Sequence, residues 1–295
     1  MTTHLKLKAY GKINLALDVL RKREDGYHDV RMIMQTVGIY DQLELQATRK
    51  PGIAVETNLS YLPVNENNLV YQAAKLLMDE FSVKSGIHIT LRKFIPVAAG
   101  MAGGSSDAAS VLFGVNKMFN LGLSREELMK RGVKIGADVP YCLLRGTALS
   151  EGIGEKLTPL PAMPQCRVLI AKPGISVSTK LVYENLNINA RSGDCHPDID
   201  GMVQAIQKQD LQEVAKKFGN VLELVTAKKY PIIEEIKAVM KKNGALNALM
   251  SGSGPTVFGL FTDERAAQKA YEELRYGSLA SLAKQVYLTS LFNRR

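Results

Sequence analysis

Apolar and polar residues alternate from Leu5 to Val37, most regularly in Ile13-Asn14-Leu15-Ala16-Leu17-Asp18-Val19, the period of strands with one buried face. Asp25-Gly26 interrupts this β-rich opening with a turn signal and sets Tyr27 and His28 just past the bend, and Asp41 to Ala47 continues the sheet. The period changes after Asn67-Asn68, which offers an N-cap: Leu69, Val70, Ala73, Ala74, Leu76, Leu77 and Phe81 follow at helical spacing. Ile87, Ile89 and Leu91 then alternate with His88, Thr90 and Arg92 in a strand that Pro96 ends. Past a glycine-rich stretch, Ala108, Ala109, Val111, Leu112, Val115, Met118 and Phe119 predict a well-packed helix. Another helix starts from Ser124, with Arg125-Glu126-Glu127 in its first turn, and Gly136-Ala137-Asp138-Val139-Pro140 breaks the pattern before a strand and turn over Gly146–Glu155.

Three prolines fall close together in Thr158-Pro159-Leu160-Pro161-Ala162-Met163-Pro164, which reads as a linker between residues 1–160 and 161–295. The second half predicts a strand over Arg167–Ala171, helices near Thr179–Asn185, Val203–Phe218 and Pro231–Lys242, and a strand over Leu246–Met250. A Ser251-Gly252-Ser253-Gly254 turn, a strand over Thr256–Phe261, a helix over Glu264–Arg275 and a strand over Val286–Leu291 complete an α+β domain. Asn187 to Asp194 reads as a polar loop, and no internal repeat or heptad run is present.

Length and composition fit this division, since 295 residues at 46% hydrophobic content can fill two ordinary cores. The net charge of +9 is spread through the chain, often beside acids, and the one dense run, Arg21-Lys22-Arg23, is followed at once by Glu24 and Asp25. The basic residues lack interleaved aromatic platforms, which argues against nucleic acid as a partner. Cys142, Cys166 and Cys195 are an odd number without CxxC spacing, so the expected setting is the reducing cytoplasm. No signal peptide and no apolar run of membrane-spanning length is present, which argues against secretion and membrane insertion.

The chemistry concentrates in Pro96-Val97-Ala98-Ala99-Gly100-Met101-Ala102-Gly103-Gly104-Ser105-Ser106-Asp107, where a strand passes through glycines into a helix. Such a stretch can cradle phosphate, because glycines let the backbone approach closely and a helix start presents N–H groups and a positive dipole. The bland alternative is a turn that only permits tight strand-to-helix packing. No GxxxxGK[ST], GxGxxG, GxSxG or HExxH pattern occurs, which removes support for Walker-type nucleotide binding, dinucleotide binding, acyl transfer and zinc hydrolysis. Lys12 before the Asn14 strand and Asp138 in its Gly-Ala-Asp-Val-Pro bend add a cation and a carboxylate, which with the cradle suffice for phosphoryl transfer. His4, His88, His196 and the cysteines are taken as structural, and Asp107 as a cap of its helix.

Lys12-Ile13-Asn14-Leu15, Pro96 to Ala109, Gly136 to Pro140 and Leu249-Met250-Ser251-Gly252-Ser253-Gly254-Pro255-Thr256-Val257-Phe258 resemble the ordered motifs of the GHMP kinases over nearly the whole chain. The resemblance implies an α+β fold of two domains, the N-terminal one β-rich, with the active site in the cleft between them, and a kinase using ATP and Mg2+. It implies Asp138 as the proton acceptor and Lys12 as the cation, with Pro96 to Ser106 on the ATP phosphates, Lys93, Asn68 and Leu69 near adenine, and the Ser251–Gly254 turn closing the site. Asp25-Gly26-Tyr27-His28 and the Gly136-Ala137-Asp138-Val139-Pro140 segment are similar to those of the branch whose acceptor is the 2-hydroxyl of a cytidine diphosphate-linked methylerythritol in isoprenoid precursor synthesis. Tyr27, His28 and Tyr183 match its cytosine-holding positions, and Asn14 and Thr179 its other polar contacts. The resemblance leaves the magnesium ligand open between the hydroxyls of Ser105 and Ser106, and the expected state is a monomer or weak homodimer.

Two rivals remain at this level. A family member acting on homoserine or mevalonate would have no cytosine for Tyr27 and His28 to hold. An RNA-binding module would bind with a steep salt dependence and turn over no ATP. The loop also departs from the glycine-dense pattern of many relatives: Val97, Ala98, Ala99 and Ala102 stand where glycine is common, and alanine restricts positive φ.

Overall fold

The computed structural model describes residues 2–187 and 196–293, so Cys195 and the loop expected after Asn187 lie outside the described residues. The chain forms two compact units, each assembled from three segments: Met1–Gly11, Ile39–Val97 and Ala102–Leu144 in the first, Lys12–Gly38, Ala98–Met101 and Arg145–Arg295 in the second. Two long strands, β1 (His4–Lys22) and β2 (His28–Thr48), contribute residues to both.

In the first unit, the end of β2 pairs antiparallel with β4 (Gly86–Arg92), from Gln42 opposite Arg92 to Thr48 opposite Gly86. A strand that the sequence pattern missed, β3 (Ile53–Thr57), lies parallel to β4. Helix α1 (Leu69–Glu80) starts at Asn68, whose side chain accepts the Val70 N–H as the sequence predicts. It packs against α2 (Gly103–Met118), and the two bury Val70, Ala73, Ala74, Leu77, Val111, Leu112 and Val115 with Leu43, Leu45, Ile87 and Ile89 of the sheet. Gly114 lets α2 settle on that sheet, since a Cβ there would run into the Leu45 side chain. Helix α3 (Arg125–Gly132) carries a complete capping box between Ser124 and Glu127. The predicted break at 136–140 resolves into the start of a short helix, α4 (Val139–Leu144), with Pro140 in its first turn, where no intrahelical N–H is required.

In the second unit, β5 (Thr147–Gly152) pairs antiparallel with β2 and with β6 (Lys156–Pro159). Part of the expected proline linker is thus strand: Thr158 and Pro159 pair with Leu149 and Ala148 at the sheet's edge, where proline is tolerated. A second sheet has the order β11-β7-β10-β9, built from β7 (Arg167–Lys172), β9 (Asn247–Met250), β10 (Val257–Phe261) and β11 (Gln285–Ser290), all antiparallel. Helix α5 (Thr179–Glu184) follows β7. The single helix predicted over 203–218 is two, α6 (Ile199–Gln207) and α7 (Leu211–Lys216), because Gln209 takes φ +59° and Asp210 caps a fresh start. The sequence pattern also missed β8 (Gly219–Asn220), parallel to β1, and α8 (Glu223–Lys229), while α9 (Ile232–Lys242) and α10 (Glu264–Arg275) fall where expected.

One expectation fails informatively. The alternation in β1 predicts one buried face, yet every residue from Gly11 to Val19 is buried, Lys12, Asn14 and Asp18 included. Polar side chains on both-faces-buried strand require partners, and those partners define the site.

Candidate active site

Strand β4 leads through Pro96 into the loop, and α2 begins at Gly103 with Ala102 as N-cap. Ala102 sits at φ 53°, ψ 32° and gives the helix no side-chain cap; Ala98 and Gly100 are also left-handed, at φ 50° and 72°. The expectation that alanine keeps its positions out of positive φ is therefore corrected. The strain of roughly 1 to 2 kcal/mol per residue is held by anchors on the loop: the Lys12 N–H donates to the Met101 carbonyl at 3.1 Å and Ser251 Oγ to the Gly100 carbonyl at 2.9 Å. Among the described residues, no backbone N–H from Gly100 to Ser105 has a hydrogen-bond acceptor in the chain. A row of such donors at a helix start is an anion site. Gly100 cannot be replaced freely, since a Cβ would run into the Ser251 carbonyl.

Within the first unit, several predicted residues converge on the start of α2. A Cβ on Gly104 would lie 3.3 Å from Leu69 Cδ1, and one on Gly136 would lie 3.8 Å from Ser105 Oγ. The starts of α1 and α2 and the Asp138 bend are therefore neighbours. Asp138 is half-buried and immediately precedes α4, its carbonyl accepting the Cys142 N–H. Ser106 Oγ donates to the Tyr10 carbonyl at 2.7 Å.

Lys93 is buried with its ammonium donating to Asp107 Oδ2 at 2.6 Å and to Asp41 Oδ2. Asp107 accordingly does not cap α2. It lies in the second turn and points inward to Lys93, where a buried cation outcompetes the helix N–H groups for it. Burial pushes the Asp107 carboxyl well above its ordinary value, with the Lys93 charge pulling against it. Burial would lower Lys93, but the Asp107 and Asp41 charges outweigh it and hold the ammonium above its usual range.

Within the second unit, Lys12 Nζ donates to Asn14 Oδ1 at 2.6 Å, the Asn14 N–H reaches Ser251 Oγ at 3.3 Å, and Asn14 Nδ2 points to Met32 Sδ. Lys12, Asn14, the Gly100 carbonyl and the Ser251–Gly254 turn are thus one hydrogen-bonded group. Thr179 Oγ1 and Ser253 Oγ lie 2.8 Å apart. His28 and Tyr183 stack with ring centroids 4.9 Å apart, tilted by 37°, while Tyr27 is exposed. Burial, then the Lys22 charge, lowers the His28 pKa, so its imidazole is neutral at pH 7 with one donor and one acceptor.

The sequence pattern missed the residues that brace the Ser251–Gly254 turn. Asn220 Nδ2 donates to the Met250 and Gly252 carbonyls, both at 2.8 Å, and Thr226 Oγ1 to the Ser253 carbonyl at 3.1 Å. Asp41 was missed as well. Nothing in the local sequence marks these positions, whose partners are up to 54 residues away. Among the described residues, no cluster of three or more His, Cys, Asp or Glu side chains is arranged to hold a metal ion.

Comparison with known proteins bears on this geometry. Residues 68–146 match the family model described as GHMP kinases N terminal domain, and residues 202–277 match GHMP kinases C terminal. A protein of Lachnoclostridium phytofermentans named 4-diphosphocytidyl-2-C-methyl-D-erythritol kinase is 59% identical over 291 residues, covering 99% of this chain and 98% of the relative. The chain belongs to the GHMP kinases. A like-named relative from Lachnospira eligens is 57% identical, with 98% of each chain covered. A crystal structure of 4-(cytidine 5'-diphospho)-2C-methyl-D-erythritol kinase superposes on this kinase with a TM-score of 0.81 at 29% identity, covering 97% of this chain and 99% of that one. The GHMP kinase domains, the α+β fold and small-molecule phosphotransfer from ATP expected from the motifs are borne out.

Proposed function

We propose that this kinase transfers the γ-phosphoryl group of ATP to the 2-hydroxyl of 4-diphosphocytidyl-2-C-methyl-D-erythritol, a step of non-mevalonate isoprenoid precursor synthesis. The observation that carries the reading is the uncommitted row of N–H groups from Gly100 to Ser105 at the start of α2, in a chain 59% identical to a relative bearing that enzyme's name. Pro96 to Ser106 hold the ATP phosphates, with Asn68, Leu69 and Lys93 toward the adenine. Asp138 accepts the hydroxyl proton and Lys12 supplies positive charge to the reacting groups. On the acceptor side, neutral His28, stacked on Tyr183, reads the cytosine edge, Tyr27 covers the base, and Asn14 and Thr179 hold the sugar-alcohol end.

Magnesium keeps much of its water and binds through substrate phosphates plus one or two protein oxygens. The donor set here fits that habit: the Ser105 hydroxyl at the helix start is the protein oxygen offered, since Ser106 is bonded to Tyr10 and Asp107 to Lys93. The ion would neutralise charge on the phosphates. The chain works in the cytoplasm as a monomer or weak homodimer on a small-molecule partner. No helix among the described residues is long and apolar enough to cross a membrane, and Arg21 and Arg23 are paired with Asp29 and Asp25.

The deciding experiment is ADP formation by purified protein with and without the cytidyl acceptor. Turnover should require the acceptor, and Asp138→Asn should lower kcat by about 100-fold or more while nucleotide binding persists. Full activity of Asp138→Asn rejects its role as base. His28→Ala should raise KM for the cytidyl acceptor by roughly 10-fold and leave KM for ATP unchanged; equal shifts in both would reject cytosine reading.

A further inference from the structure

Lys172, the last residue of β7, is buried and has no carboxylate partner among the described residues. Lysine is seldom buried unless paired, and burial, then the Lys284 charge, pulls its pKa below the usual range. The ammonium is held by main chain instead: Nζ donates to the Ile175 carbonyl at 3.0 Å and to the Pro173 carbonyl at 3.3 Å.

These bonds fall where the backbone has none of its own. Among the described residues, residues 173–177 make no backbone–backbone hydrogen bond. Such a connection samples many conformations unless something ties it down. Strand β7 is a firm attachment point, since it lies between β10 and β11 in its sheet and Lys172 itself pairs with Gln285. The Lys172 side chain thus ties a loose segment back to a fixed strand end.

That segment leads into α5, which is six residues long and has Val182 as its only buried residue. A helix so short has little stability of its own and little apolar grip, so its pose depends on how the chain enters it. Helix α5 carries Thr179, whose Oγ1 lies 2.8 Å from Ser253 Oγ, and Tyr183, stacked on His28.

We infer that Lys172 is a positioning residue for the acceptor: its ammonium closes the β7–α5 turn and so sets where α5 presents Thr179 and Tyr183. The inference rests on the reading of those two residues as acceptor contacts. It also gives a use to a buried charge whose desolvation an apolar residue would avoid.

Lys172→Met keeps the apolar stem and removes the donors. It should raise KM for the cytidyl acceptor by about 10-fold, with KM for ATP within about 2-fold and kcat within about 3-fold. Lys172→Arg, which keeps charge and donors, should recover most of that loss. In a background carrying both Thr179→Ala and Tyr183→Ala, Lys172→Met should add less than about 2-fold to the acceptor KM, because the residue acts through those side chains. Amide hydrogen exchange in Lys172→Met should quicken over residues 173–185 and stay unchanged elsewhere. Equal rises in both KM values, an undiminished effect in the double-alanine background, or unchanged exchange over that segment would overturn the inference. Should Lys172→Met fail to fold, Lys172→Gln, with one amide donor left, decides by the same KM split and exchange pattern. A wild type that forms no ADP with the cytidyl acceptor rejects the kinase reading, and the exchange comparison still decides whether Lys172 holds the turn.

Discussion

Two glycine-containing turns in this chain look alike in sequence and are built in opposite ways. In the loop ahead of α2, the donors from Gly100 to Ser105 are uncommitted, the helix has no side-chain cap, and two alanines are held left-handed. In the Ser251–Gly254 turn, the acceptors are committed: Asn220 takes the Gly252 carbonyl, Thr226 the Ser253 carbonyl, and the Gly254 N–H closes back on Ser251. A turn whose carbonyls are satisfied by buried side chains is a rigid support. A turn that leaves its N–H groups open and stores backbone strain has the donors that an anion receptor needs. Glycine content alone cannot separate the two; the fate of the backbone polar groups does.

The sharpest way to break this contrast is where the two meet. Gly100 combines φ 72° with a would-be Cβ inside contact distance of the Ser251 carbonyl. Gly100→Ala should therefore displace the loop and lower kcat/KM for ATP by about 100-fold, with the fold retained. Gly122→Ala is the control, since Gly122 has a similar φ of 75° but nothing within 4 Å of its Cβ. It should cost about 1 kcal/mol of stability and leave activity intact. Equal activity losses in both variants would mean that strain, not the loop's seat on Ser251, sets the effect.

The support side predicts a smaller and different effect. Asn220→Ala leaves two buried carbonyls without donors, at a cost of about 1 to 3 kcal/mol. Asn220→Asp turns an acceptor toward them and should be worse. Both should lower Tm by several degrees while KM for ATP moves less than about 3-fold. A large rise in KM with unchanged Tm would show that the turn handles substrate itself and that the division between support and receptor is wrong.

These two turns also show what the sequence discloses. Local signals carried most elements: the Asn68 cap, the Ser124 capping box, the alternation that pairs β2 with β4, and the glycine run that opens α2. Motif order singled out Lys12, Asn14, His28 and Tyr183, and the structure sets Lys12 on Asn14 and His28 on Tyr183. What the sequence hid is long-range or short. Asn220 and Asp41 act on backbone 30 and 53 residues away, β8 has two residues, and the split at Gln209 depends on one φ value. Asp107 was misread as a cap because its partner Lys93 lies on another element, and a buried cation outranks local helix preference.

The smallest effect tests the strain itself. Ala102 is the N-cap of α2 at φ 53°, a conformation that costs an L-residue roughly 1 to 2 kcal/mol and glycine almost nothing. Replacing it by glycine also makes the unfolded chain more flexible, a penalty of about 0.4 to 1 kcal/mol in the opposite direction. The two nearly cancel, with strain relief the larger, so Ala102→Gly should raise Tm by about 1 to 3 °C. Ala98→Gly, at φ 50°, should behave alike. The kinetic consequence separates strain from shape: the loop is pinned by Lys12 at Met101 and by Ser251 at Gly100, neither of which touches the Ala102 side chain, so KM for ATP should stay within about 2-fold. A fall in Tm would mean that Ala102 is relaxed in its left-handed pose and that the receptor loop stores no strain. A rise in Tm together with weaker ATP binding would mean that strained alanine, more than the anchors, keeps the N–H row aimed at the phosphates.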